Sequence, residues 1–142
     1  MIRSEKELTT KIADCTTSFD AKFAGTNGKR AIVICGGTGC LSSNSASILA
    51  KFEEAIMAHD LSDKVTVNKV GCFGFCSQGP FVKIFPEDTL YHGVKVEDVE
   101  EIVNTDLINH QIVERLLYVD PMTKEKIQKQ DEINFYKKQK RV

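Results

Sequence analysis

Four of the five cysteines in this 142-residue chain lie in two short glycine-rich segments, as C-x4-C (Cys35, Cys40) and C-x3-C (Cys72, Cys76). Four thiolates are a complete ligand set for an iron–sulfur cluster or a structural zinc ion, while a close dithiol pair can exchange disulfides. Spacing ranks the three. Structural zinc ribbons mostly use C-x2-C knuckles and thioredoxin-type exchange needs C-x2-C, so the wider spacings favour a cluster, with zinc second and dithiol or inert cysteines third. Segments 35–40 and 71–80 carry no charged side chain. An anionic cluster is supported by backbone N–H groups aimed at sulfur. Gly36, Gly37, Gly39, Gly71, Gly74 and Gly79 permit the close approach and positive φ angles that such a nest needs. Phe73 and Phe75 are placed to shield one side. With no lysine in either segment, the expected reduction potential is low, about −400 mV.

Other reactive side chains read as structural. Cys15 falls on the apolar stripe of a helix and is expected to be buried and inert. His59, His92 and His110 are scattered, without partners at ligand spacing. Gly36-Gly37-Thr38-Gly39 is followed by Cys40-Leu41-Ser42, so the G-x-G-x-x-G test for nucleotide phosphates fails, and no G-x-x-x-x-G-K-[ST] occurs.

The elements that must position the cysteines follow from periodicity. Ser4 and Glu7 form a capping box for a helix over 4–24, with Leu8, Ile12, Cys15, Phe19 and Phe23 on one stripe and Gly25 to Gly28 as its stop. Ala31 to Ile34 is a short, β-branched apolar run and reads as a buried strand ending at Cys35. After the cysteine loop, Ile48, Leu49, Phe52, Ala55 and Ile56 mark the inner face of a helix reaching about His59. Val65 to Val70 is a second strand, entering the loop that holds Cys72 and Cys76. Phe81–Phe85 and Leu90–Val94 read as a hairpin around Pro86-Glu87-Asp88-Thr89. A helix then starts near Val96, with acidic residues at its positive end and Val99, Ile102, Val103 and Leu107 inward. Ile112, Val113 and Leu116 to Tyr118 are a last packing piece.

A β-α-β unit implies a parallel strand pair with a right-handed crossover, and the hairpin adds antiparallel strands. The fold class expected is therefore α/β and thioredoxin-like, a small mixed four-stranded sheet flanked by helices, with an extra N-terminal helix. In a parallel pair both cysteine loops leave the same sheet end, where such folds bind ligands.

Composition narrows the setting. Net charge is −1, so nothing global points to nucleic acid or a membrane surface. No apolar stretch is long enough for a signal peptide or a membrane span. An odd number of cysteines argues against a disulfide framework, and the expected location is the cytoplasm. Residues 119–142 carry 7 basic and 4 acidic side chains against 12 and 16 in 1–118, which sets the tail apart. The expected division is an N-terminal helix over 1–29, a core domain over 30–118 and a basic linker or tail over 119–142.

The run Ile34-Cys35-Gly36-Gly37-Thr38-Gly39-Cys40 and the run Gly71-Cys72-Phe73-Gly74-Phe75-Cys76-Ser77-Gln78-Gly79-Pro80 resemble the thioredoxin-like [2Fe-2S] ferredoxins. They look most like the version at the front of the NADH-oxidising flavoprotein subunit of electron-bifurcating or NADP-reducing [FeFe]-hydrogenases and, more distantly, of NADH:quinone oxidoreductase. The resemblance spans about Arg30 to Tyr118, including Phe85-Pro86-Glu87 and Leu90-Tyr91, and residues 132–141 resemble the linker into the flavin domain. It implies that Cys35, Cys40, Cys72 and Cys76 ligate one [2Fe-2S] cluster, surrounded by Gly36, Gly37, Gly39, Phe73, Gly74 and Phe75. It implies one-electron transfer with no catalytic site in this stretch, the parent's FMN, NAD(P) and [4Fe-4S] cofactors binding elsewhere. The partners implied are the flavin-binding domain and other Fe–S subunits, with the tail as a tether that lets the module swing; a homodimer is a further option. The long leading helix is more like a stand-alone small ferredoxin subunit of the same complexes. Pro80 stands where thioredoxin-like folds often place a cis-proline.

Overall fold

In the computed structural model, which describes residues 4–23 and 28–139, the apolar run after Arg30 is a central strand of the sheet. Strand β1 (Arg30–Cys35) is buried from Ala31 to Cys35, which explains a continuous apolar run rather than an alternating one. It pairs in parallel with β2 (Val65–Val70), Ile32 opposite Val67 and Cys35 opposite Val70. On its other side runs β3 (Val82–Phe85), antiparallel, followed by β4 (Thr89–Tyr91). The order β2-β1-β3-β4 is the mixed four-stranded sheet expected.

A parallel pair needs a long crossover, and two helices supply it. The expected loop is helical in part: α2 (Thr38–Ser42) contains Cys40, and Asn44 in the left-handed conformation separates it from α3 (Ser45–Ala58). Ile48, Phe52, Ala55 and Ile56 of α3 are buried against the sheet and Leu49 is half-buried, as the periodicity requires. α4 (Asp98–Ile102) runs into a π-helical turn, Val103–Ile108, and Val99, Ile102, Val103 and Leu107 all face the core. Asp98 works at the start of α4, accepting from the Lys95 N–H at 2.9 Å and pairing with Arg115 at 2.6 Å. The peptide bonds before Pro80 and Pro86 are cis.

One buried polar network ties β1 and β4 to the π-helical turn. Asp106 receives Arg30 Nη2 on one carboxylate oxygen and the Tyr91 hydroxyl on the other, both at 2.5 Å. The Val113 N–H donates to the Tyr91 oxygen at 3.1 Å, and burial pushes the Tyr91 hydroxyl's pKa well above its usual value. Removing one member leaves the others buried and unpaired. Asp106→Ala is expected to cost about 3 kcal/mol and lower the melting temperature by about 10 °C in thermal unfolding followed by circular dichroism. A change within about 2 °C would show the network to be dispensable.

Two expectations are corrected. Helix α1 (Glu5–Phe23) forms, and the Glu7 N–H donates to Ser4 Oγ at 3.3 Å, but its stripe is not covered. Leu8, Ile12 and Phe19 are 45%, 57% and 56% exposed, and Cys15 is exposed rather than buried. Periodicity identifies the apolar side of a helix; it does not supply something to lie on it. The described contact with the body is at the C-terminal end, where Phe23 lies 5.2 Å from Phe85 between ring centres. The expected stop at Gly25 to Asn27 lies outside the described residues, as do Met1 to Arg3 and Lys140 to Val142.

The second correction concerns the tail. Through Gln139 it folds back onto the domain rather than hanging as a linker. β5 (Tyr118–Val119) and β6 (Lys126–Ile127) form a small hairpin alongside β4. The Leu90 N–H donates to the Gln128 carbonyl at 2.9 Å. Gln130 and Asp120 are buried, and α5 (Asn134–Lys137) follows the buried Ile133. Lys83 Nζ reaches Gln130 Oε1 at 3.1 Å in the interior. Of the few apolar residues in this Lys-rich stretch, Ile127, Ile133 and Tyr136 pack onto the domain.

Candidate metal centre

Because β1 and β2 are parallel, their C-terminal ends share one sheet edge. Cys35 is the last residue of β1, and Cys72 follows two residues after β2 ends at Val70. Cys40 comes from the middle of α2, and Cys76 opens a 3-10 turn, Cys76–Gln78. All four cysteines lie along that edge. Cys72 and Cys76 sulfurs are 3.7 Å apart, and Cys35 lies near enough to influence the thiols of both Cys40 and Cys72. Two thiolates on one tetrahedral metal at about 2.3 Å lie about 3.8 Å apart, so the Cys72–Cys76 separation suits a shared metal. Among the described residues, no three His, Cys, Asp or Glu groups surround a common point as ligands of one ion would. The closest sulfur pair recorded is Cys72 with Cys76.

The two pairs differ in depth. Cys35 and Cys40 are each 1% exposed, whereas Cys72 and Cys76 are on the surface. Burial, reinforced by Cys35, pushes the Cys40 thiol up to about 12. The Gly74 N–H donates to Cys72 Sγ at 3.2 Å and pulls that thiol's pKa down; the neighbouring Cys72 pushes Cys76 up. These shifts describe thiols; a metal displaces the protons and takes over their role.

Glycines are needed mainly for approach rather than for φ. A Cβ on Gly79 would lie 2.6 Å from Cys40 Sγ, one on Gly37 2.9 Å from Cys72 Cβ, and one on Gly39 3.3 Å from Cys76 Cβ. Three glycines thus lie against three of the sulfur-bearing side chains, a cradle that any larger residue would fill. Only Gly74 among the loop glycines has a left-handed backbone, at φ +85°, and Gly71 has open space around it. Gly36 lies beneath the Lys69 stem, where a Cβ would be 2.7 Å from Lys69 Cγ. The cysteine loops themselves carry no charge, but β2 brings this lysine to the edge of the site.

Phe73 and Phe75 are half-buried on Phe81, with ring centres 5.6 and 6.3 Å away. Phe81, Leu90, Ile133 and Tyr136 form a second small core around Cys35 and Cys40. Of these, Ile133 and Tyr136 come from the tail, and Phe135 beside them stacks on Phe75 at 4.7 Å and 15°. No spacing rule marks these residues in the sequence. The available signal is an aromatic pair, Phe135-Tyr136, inside an otherwise Lys-rich segment. The histidines stay outside the thiol group: His59 pairs with Glu100 at 3.0 Å, and His92 lies against Tyr118.

The donor set, its cradle and its amide support fit an iron–sulfur cluster, and the comparisons with known proteins agree. The family model described as thioredoxin-like [2Fe-2S] ferredoxin matches residues 8–106. A 2Fe-2S ferredoxin of Clostridium pasteurianum is 48% identical over 77 residues, 54% of this chain and 76% of the relative. One from Aquifex aeolicus (strain VF5) is 34% identical over 79 residues, 55% of this chain and 71% of the relative. The structure of a thioredoxin-like [2Fe-2S] ferredoxin from Aquifex aeolicus superposes with a TM-score of 0.58 at 30% identity, covering 62% of this chain and 88% of that one. A crystal structure of the wild-type Aquifex protein gives 0.58 and 30%, covering 62% and 94%. A four-sulfur edge on a mixed sheet and a family match over most of its length lead to one conclusion: the chain belongs to the thioredoxin-like [2Fe-2S] ferredoxin family.

Proposed function

We propose that Cys35, Cys40, Cys72 and Cys76 are the four ligands of the cluster, and that this electron-transfer protein works within an NAD(P)H-linked flavin oxidoreductase. The observation that carries the ligand assignment is the meeting of two sequence-distant thiol pairs at one sheet edge, with glycines pressed against the sulfur-bearing side chains. When bound, the cluster supplies one-electron redox chemistry without forming a bond to substrate.

The chain's own residues do the rest. Cys35 and Cys40 anchor from inside the second core, while Cys72 and Cys76 form the exposed edge nearest a partner. The Gly74 N–H donates to Cys72 sulfur, and Phe73, Phe75 and Phe81 keep water from the inner side. No helix among the described residues is long and apolar enough to cross a membrane. A cytoplasmic location rests on the odd number of cysteines, which argues against a disulfide framework.

The flavin oxidoreductase setting rests on the sequence resemblance from Arg30 to Tyr118 and over 132–141, with a flavin-binding domain and further Fe–S subunits as partners. A stand-alone small ferredoxin subunit is the second reading. It is favoured by relatives of which this chain covers 76% and 71%. A structural zinc module, though chemically close, predicts a colourless protein.

Anaerobic purification of the native protein tests these readings together. Expected are about two iron and two sulfide per chain and a red-brown colour that bleaches with dithionite. Zinc without iron would end the ligand proposal. Co-purification of flavin absorbance with NAD(P)H-dependent dye reduction supports the complex; iron-loaded chain eluting without flavin sinks that part alone.

A further inference from the structure

We infer that Tyr136 is a positioning residue for the N–H···S hydrogen bond on Cys72, acting through the peptide that joins Phe73 to Gly74. This rests on Cys72 being a cluster ligand, as proposed above. The Tyr136 hydroxyl donates to the Phe73 carbonyl oxygen at 3.0 Å. On the opposite side of the same peptide plane, the Gly74 N–H donates to Cys72 Sγ at 3.2 Å. A peptide is rigid and planar, so holding its carbonyl fixes where its N–H points. Donation to the carbonyl also polarises the amide, which strengthens the bond it makes to sulfur.

The arrangement is built rather than incidental. Tyr136 is 4% exposed and packs in the core that contains Cys35 and Cys40. Its neighbour Phe135 stacks on Phe75, the residue before Cys76, so both ends of the Cys72–Cys76 loop are held from the tail. Between tail and loop lies a cavity of about 320 Å³, with Gly71, Cys72 and Phe73 on one wall and Gln130, Tyr136 and Gln139 on the other. Gly74 itself is exposed and in a left-handed conformation, with open space where a side chain would stand. The family match ends at residue 106, and this support comes from beyond it.

The two aromatic residues should act with opposite sign. Hydrogen bonds to sulfur stabilise the more anionic reduced state, so weakening one lowers the reduction potential. Opening the site to water also stabilises added charge, and raises it. Tyr136→Phe keeps the ring and loses only the hydroxyl; Phe135→Ala keeps the hydroxyl and opens the loop. In EPR-monitored redox titrations of the full chain, Tyr136→Phe is expected to shift the potential down and Phe135→Ala up, with full iron content in both. Hydrogen–deuterium exchange of the peptide covering Phe73 to Phe75 gives a reading in the unaltered protein. Protection there is expected despite the exposure of Gly74, with exchange about fivefold faster in Tyr136→Phe. A Tyr136→Phe protein with unchanged potential, or unprotected exchange in the unaltered protein, overturns the inference. An unaltered protein that holds no iron overturns the ligand assignment instead.

Discussion

Cys35→Ala is expected to fold and to lose the cluster, with iron below about a tenth of the unaltered level and no EPR signal on reduction. The residue ends the central strand, is sealed from solvent, and shares the second small core with Cys40. Its loss removes an anchor that no neighbouring apolar residue or glycine can replace. Deleting one sulfur from a well-packed strand end costs about 1 kcal/mol, so the fold should survive and the two effects separate cleanly. Cys15→Ala is the matched control: that thiol is exposed on α1, and full iron content is expected. Iron and sulfide analysis with reduced-state EPR reads both. A Cys35→Ala protein with a complete cluster and the usual spectrum would end the assignment of Cys35.

Gly79→Ala should be nearly as damaging, for a steric rather than a chemical reason. The added methyl would lie 2.6 Å from Cys40 Sγ, with the Cys76 carbonyl at 3.6 Å and Phe81 at 3.8 Å on its other sides. A long flexible side chain could step aside; a buried cysteine on a five-residue helix cannot do so without moving the helix. The expected result is loss of most of the iron and a lower melting temperature. Two neighbouring glycines isolate the cause. Gly71→Ala meets nothing within 4 Å and should be silent. Gly74→Ala meets nothing either but must hold φ near +85°, so a destabilisation of about 1 kcal/mol with the cluster retained is expected. If Gly79→Ala bound iron as well as Gly71→Ala, close approach to sulfur would not be what Gly79 is for.

These contrasts mark how much of the site was legible in the residues. That Cys35, Cys40, Cys72 and Cys76 belong together follows from two loops at the ends of parallel strands, and β1 and β2 are evident from short β-branched runs. Loop glycines were legible as a class. Their separate duties were not, since whether a glycine faces a sulfur, a lysine stem or open water depends on what the fold brings opposite it. Lys69 illustrates the point: it lies outside both cysteine segments, yet the register of β2 lays it across Gly36.

By itself, then, the sequence determined the two cysteine loops, the β-α-β order and the inner faces of α3 and α4, because those depend on residue type and on periods of a few residues. Tertiary structure alone decided that the α1 stripe lies uncovered and that Ile133, Phe135 and Tyr136 close over the cysteine loop. Such contacts join residues some 60 positions apart, as Tyr136 to Phe73 does. Local patterning shows that an apolar face exists; only the folded chain determines which surface, if any, comes to meet it.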